Sequence, residues 1–97
     1  MGTQWFDPRA AEELMHAAAD YKAITPELGQ RFALAVKKAL HSIEENPEIH
    51  SPINAGCRKC RVVRFPYKII FREHEKGIQI IAVMHMKRRP SYWLERT

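Results

Sequence analysis

The chemistry-bearing residues of this 97-residue chain crowd into its second half. His85 is followed by three consecutive cations, Lys87, Arg88 and Arg89, and then by Tyr92 and Trp93, while Arg61 and Arg64 stand upstream. A histidine side chain titrates near neutrality, so His85 could give or take a proton. Arginine can hold a phosphate or carboxylate through two parallel hydrogen bonds, and lysine holds it as a point charge. Tyr92 could stack on a base or donate a proton. With Trp93 it could equally supply the aromatic anchors that dominate protein interfaces. The same residues therefore read in two ways, as a phosphate-handling site or as an electropositive docking surface. Plainer readings stand beside both: a histidine closing an apolar strand often caps it, and Trp93 is expected to fold back over the sheet edge as core.

The charge distribution supports either use. The chain carries a formal net charge of +5. Residues 1–57 hold five Lys/Arg against eight Asp/Glu, and residues 58–97 hold eleven against three. A half so basic attracts an acidic partner or a phosphate backbone and speeds the encounter. The length suits one domain over residues 1–97, with one modest core and no room for a large cofactor cavity, so no cofactor is expected. No apolar run reaches the length of a membrane helix, and the N-terminal residues lack the layout of a signal peptide. With only two cysteines, Cys57 and Cys60, the chain is expected in the reducing cytoplasm.

These residues must be positioned by elements that local signals predict. Thr3 to Phe6 is a short strand candidate. Asp7-Pro8 is a cap followed by a proline at the first helical position, and Ala11, Leu14, Met15, Ala18 and Tyr21 recur at helical spacing behind it. Thr25-Pro26 repeats the signal for a second helix with the stripe Leu28, Phe32, Ala35, Val36, Ala39, Leu40 and Ile43, ending at Asn46-Pro47. Residues 47–56 read as loop. Strands are predicted over Arg58–Phe65, Tyr67–Glu73 and Ile78–His85, the last apolar enough to be interior, with Gly77 in the turn before it. The predicted fold is α+β, in the order β-α-α-β-β-β, with an antiparallel helical hairpin packed on a small, mainly antiparallel sheet.

Other motifs carry less. Cys57-x-x-Cys60 lacks the second pair of ligands that structural zinc needs, and on a strand its two members point to opposite faces, so no metal site is expected. Cys60 is read as small core filler. Glu12-Glu13 and Glu44-Glu45 read as solvated helix surface. His16, His41, His50 and His74 are expected on helix surfaces or in loops.

Arg64-Phe65-Pro66-Tyr67-x-Ile69-x-Phe71, then Ala82-Val83-x-His85-x-x-Arg88-x-Pro90-x-Tyr92-Trp93, resembles the RelE/ParE superfamily of bacterial type II toxins. Asp7-Pro8-x-Ala10-x-x-Glu13-Leu14 and Pro26-x-Leu28-Gly29-x-Arg31-Phe32 resemble the family's helix openings. The resemblance implies a growth-inhibiting toxin neutralised by a co-encoded, acidic antitoxin whose segment folds onto the helical hairpin and sheet edge. The helix stripes containing Leu14, Tyr21, Phe32 and Val36 would then be partly exposed for that partner; the plainer alternative is that they are wholly internal core. The Tyr92-Trp93 ending looks closer to the ParE-like branch, whose members poison DNA gyrase and are not nucleases. The alternative is a RelE-like, ribosome-dependent mRNA endoribonuclease, in which His85, Arg88, Tyr92, Arg64 and Arg61 would be the catalytic candidates. RelE-like chains hold their final arginine and tyrosine further apart than Arg88 and Tyr92. In either branch Arg61, Arg64, Lys87, Arg88, Arg89 and Tyr92 are the residues expected to meet the target. A basic nucleic-acid-binding module without toxicity is the third reading.

Overall fold

A computed structural model describes residues 3–97. Strand β1 (Gln4–Phe6) leads into helix α1 (Pro8–Ile24), capped by the Asp7 carboxylate, which accepts the Arg9 backbone N–H at 2.8 Å. Helix α2 (Pro26–Glu45) follows after one residue. That residue, Thr25, closes α1 with its own N–H and opens α2 by accepting the Leu28 N–H at 3.0 Å. The hairpin crosses tightly at Gly29, where a Cβ would sit 3.0 Å from the Lys22 Cα.

The sheet runs in the order β1-β5-β4-β3-β2. Strand β2 is Ser51–Pro52, β3 Arg58–Val62, β4 Tyr67–His74 and β5 Gly77–His85. β1 lies parallel to β5, and the other pairings are antiparallel. The expected α+β order holds, with the addition of β2. Two residues in a stretch bearing two prolines gave no periodic signal, and Pro52 suits an edge that needs few donors. β3 is shorter than its apolar letters suggest. Arg64 takes φ +73° in the turn after Val62, and Phe65 swings into the core instead of continuing the ladder.

The helical hairpin covers one face of the sheet, α1 over β5 and α2 over β3. Phe32, Val36, Ala39 and Ile43 of α2 pack with Val62, Ile69, Phe71 and Ile80. Tyr21, Phe32 and Phe65 meet at centroid distances of 4.9 to 5.1 Å. Phe32 and Val36, expected to be partly open to a partner, are fully internal, because the apolar stripe of α2 is the stripe that faces the sheet. Leu14 and Tyr21 pack against the same core and keep part of their surface outside.

Among the described residues no α-helix covers the opposite face. Ile70, Ile81, Ala82 and Met84 are covered by Cys57 and by Trp93 from the segment after β5, with Ile53 and Leu94 around them. Trp93 is thus the sheet-covering residue expected of it, with its indole N–H donating to the Pro90 carbonyl at 2.9 Å. Cys57 and Cys60 lie in the two different cores, on opposite faces as the strand period requires.

The two faces of α2 should separate cleanly in denaturant titration. Phe32→Ala is expected to lose about 3–5 kcal/mol through the cavity it leaves. Leu34→Ala, at an exposed position, should change stability by less than about 0.5 kcal/mol. Equal losses would show that α2 packs with a different face.

Candidate functional site

Strand β1 ends at Phe6, but β5 runs on, and beyond that point its backbone has no strand on this side among the described residues. Asp7 takes the last strand-like bond, its N–H donating to the Ile80 carbonyl at 2.8 Å. The register with β4 then slips, pairing Ile80 with Phe71 but Ala82 with Ile70, so Ile81 is an extra residue in β5. Side chains serve the exposed backbone groups that follow. The Val83 N–H donates to Glu13 Oε1 at 3.0 Å, and the Ile81 carbonyl accepts Arg96 Nη1 at 3.0 Å.

Glu13 and Arg96 are themselves paired. Arg96 Nη1 and Nη2 reach the two carboxylate oxygens at 3.0 Å each, and the Tyr92 hydroxyl donates to Oε2 at 2.6 Å. Both partners are largely covered, with side-chain exposures of 8% for Arg96 and 16% for Glu13. Burial alone would push the Glu13 pKa up. The bonds from Arg96, Tyr92 and Val83 outweigh it and hold the carboxyl below its ordinary range. Burial, reinforced by the bond to Glu13, pushes the Tyr92 phenol up, so it stays protonated and donating. On the ring's surface, the Arg88 guanidinium carbon lies 3.9 Å from the Tyr92 centroid and that of Arg96 lies at 5.0 Å.

Glu13 is therefore no solvated surface residue. Its neighbour Glu12 is exposed, as expected for both. A signal for the difference was present: Ala10, Glu13 and Ala17 share helical spacing, and both alanines are buried. A carboxylate inside an apolar stripe needs a cation, and the one that pairs with it stands 83 residues away.

The expected target-facing residues divide. Arg61, Arg64, Lys87, Arg88 and Arg89 are exposed, and the turns that carry Arg64 and Lys87–Arg89 adjoin through the Met86 N–H, which donates to the Pro66 carbonyl at 2.9 Å. Tyr92 faces the other way, its hydroxyl committed to Glu13. His85 sits opposite Tyr67 across the ladder, edge-on to its ring at 5.0 Å, and its Nδ1 accepts the Lys87 N–H at 3.0 Å. It caps the turn after β5, in line with the plainer reading of a strand-ending histidine.

A groove of about 950 Å³ opens on the far side of the sheet, between α2 and the edge of β3. β2 pairs only with Arg58 and Lys59, so Cys60 to Val62 have no strand on their outer side among the described residues. Exposed Leu34 and Val63 line the groove with Arg31, Lys38, Arg61 and Arg64. No cluster of three metal-ligating side chains occurs among the described residues, and no described helix is long and apolar enough to cross a membrane.

A two-helix hairpin on a five-stranded mixed sheet is the fold expected of the RelE/ParE toxins, and here its cationic end is built from the β3–β4 turn and the segment after β5. Residues 6–90 match the family described as ParE toxin of type II toxin-antitoxin system, parDE, and the chain belongs to that family. It is a ParE-like toxin of a type II toxin–antitoxin system, which implies an antitoxin partner. A solved structure of the chromosomal ParDE toxin–antitoxin system from P. aeruginosa shares the fold, with a TM-score of 0.75 over 88% of this chain and 96% of that one at 20% identity. No curated protein matches the chain in sequence.

The Glu13 pair sets a pH dependence. A carboxyl held below its ordinary pKa contributes stability that is fully present above the unfolded-state value, about 4.3 for glutamate, and is lost as pH falls through the lower folded value. Glu13→Ala strands the Arg96 charge and the Val83 N–H, and should cost about 3–5 kcal/mol at pH 7. Its penalty relative to the parent chain should shrink below about pH 4, measured by thermal unfolding. A penalty that stays constant from pH 7 to 3 would show that the carboxylate charge contributes nothing.

Proposed function

We propose that the chain acts in the cytoplasm as a poison of DNA gyrase. It binds through the cationic end of the sheet and is neutralised when an acidic, amphipathic antitoxin segment fills the groove between α2 and β3. The observation that carries the neutralisation is the groove itself. It combines an open strand edge, apolar side chains at Leu34 and Val63, and four cations along its walls. An extended acidic segment can add to such an edge by main-chain pairing while its charges meet Arg31, Lys38, Arg61 and Arg64. Phe32 and Val36 back the groove from the core side of α2, and Tyr21 packs on Phe65 at its end; Leu14, on α1 over β5, lies outside it.

The non-nuclease reading draws support from the same geometry. Cleavage of RNA by its own 2′-OH needs a base, an acid and cations around one phosphate. Here His85 Nδ1 is engaged by the turn and the Tyr92 hydroxyl points inward to a carboxylate, away from the cations. Docking asks less of these residues: exposed charge on Arg64, Lys87, Arg88 and Arg89, held in register by the turns beneath. Arg88 rests on the Tyr92 ring, so the tyrosine shapes this surface without presenting its hydroxyl.

Induced expression in a bacterial host, with labelled thymidine and labelled methionine followed in the same minutes, tests the target. DNA synthesis is expected to fall first; protein synthesis falling first overturns the gyrase reading. For the groove, Leu34→Glu and Val63→Glu should weaken antitoxin binding at least about tenfold, or 1.4 kcal/mol. Growth inhibition by the free toxin should persist. Unchanged antitoxin affinity in both variants would move the partner to another face.

A further inference from the structure

A second concavity lies beside the groove, and its chemistry is different. It is a cleft of about 390 Å³ at the outer end of the sheet, walled by Ile49 and Met86 and floored by Lys59, Arg61 and Lys68. Arg61 and Lys68 are direct cross-strand partners, and Lys68 pairs on its other side with Met84 of the helix-free face. Arg61 alternates with Cys60 and Val62, which point to the helices, so the two cations share the face away from them. Lys59 stands two residues along β3 on that same face.

Like charges directly opposite in an antiparallel ladder destabilise the sheet. Here two such charges and a third beside them have no carboxylate within ion-pair distance among the described residues, and no residue lining the cleft is acidic. Two of the chain's other cations are paired, Arg9 with Asp7 and Arg96 with Glu13. What sets this trio apart is the direct cross-strand facing of Arg61 and Lys68 with Lys59 beside them, a repulsion that an external anion would relieve. Residues two apart on a strand are spaced by about 7 Å, close to the spacing of consecutive phosphates in a nucleic-acid strand. Met86 at the rim leads directly into Lys87, Arg88 and Arg89, which extend the positive field beyond the cleft.

We propose that this cleft binds the phosphate backbone of duplex DNA, with Lys59, Arg61 and Lys68 each neutralising a phosphate. The choice of DNA rests on the gyrase reading, in which the target carries a DNA duplex while the toxin acts. No base-edge contact is invoked, so binding is independent of sequence.

The test is fluorescence anisotropy of a labelled 20-base-pair duplex titrated with purified toxin at several salt concentrations. A gyrase cleavage assay on supercoiled DNA runs beside it. Changing Lys59, Arg61 and Lys68 together to Gln should weaken duplex binding at least tenfold. It should also flatten the plot of log K against log salt by about 2.7, roughly 0.9 for each phosphate that is no longer neutralised. Lys76→Gln, in the turn at the other end of the sheet, should change neither. If the triple variant fails to fold, Lys68→Gln alone should lower the slope by about 0.9. An unchanged slope, or a parent chain that binds no duplex at low salt, overturns the proposal. So does a single-stranded RNA of equal length that competes tenfold better than the duplex. Site-dependent duplex binding without gyrase poisoning would support the cleft and remove the gyrase reading. Poisoning that is undiminished in the triple variant, with an unchanged slope, would do the reverse.

Discussion

The carboxylate of Glu13 is where the separate parts of this fold meet. Among the described residues it is the group that touches α1, the interior strand β5 and the segment after β5 together, accepting bonds from Val83, Tyr92 and Arg96. Its necessity follows from topology. β1 is three residues long and must turn into a helix at Asp7, yet β5 is nine residues long and central. A central strand whose edge is half uncovered leaves backbone donors and acceptors without partners, each costly if buried. A glutamate one turn into the helix and an arginine returning from the far end of the chain supply the missing partners. Each is ionised, so each also satisfies the other. Removing either leaves both a charge and a peptide group unpaired.

This arrangement places the cationic end. The segment after β5 has only a short helical turn of its own, at Leu94–Arg96. It is held instead at three points: the Met86 N–H on the Pro66 carbonyl, the buried Trp93, and Tyr92 with Arg96 on Glu13. Between these points Lys87, Arg88 and Arg89 face outward. The acidic half of the sequence thereby gives up one carboxylate to anchor the basic half, and the rest of the positive charge stays free. A docking surface gains from such anchoring, since ordering a loose cationic segment at the moment of contact would subtract from affinity.

The contrast between what could and could not be read in advance follows sequence separation. Asp7-Pro8 and Thr25-Pro26 announce their helices because a cap acts within three residues. The run from Ile78 to His85 announces an interior strand because two covered faces leave nothing for polar side chains to do. Glu13 resembled Glu12 because its partners lie 70 to 83 residues away, and only its place between Ala10 and Ala17 betrayed it. Phe32 and Val36 announce a stripe by their spacing, and the structure turns that stripe to the sheet. A helix pair has one apolar side to offer, and on this chain the sheet takes it. Leu34 lies off that stripe and is exposed, one of several large apolar side chains left at the surface. Val63 and Phe65 carry strand-forming side chains and so suggest a longer β3, whereas the backbone turns at Arg64.

Arg61 ties the two concavities together. It lines both the groove against α2 and the cleft on the helix-free face, since the end of β3 is the ridge between them. Its guanidinium can satisfy one anion well, bidentately, but not a carboxylate in the groove and a phosphate in the cleft at once. An acidic segment lying along the β3 edge would draw Arg61 to its own side and add negative charge next to Lys59 and Lys68. Both effects weaken any polyanion on the neighbouring face, and the second acts over roughly a Debye length without contact. A partner on the edge would thus oppose DNA on the face without covering it. A single strand end serving two surfaces would make the two proposed occupants compete through charge without overlapping.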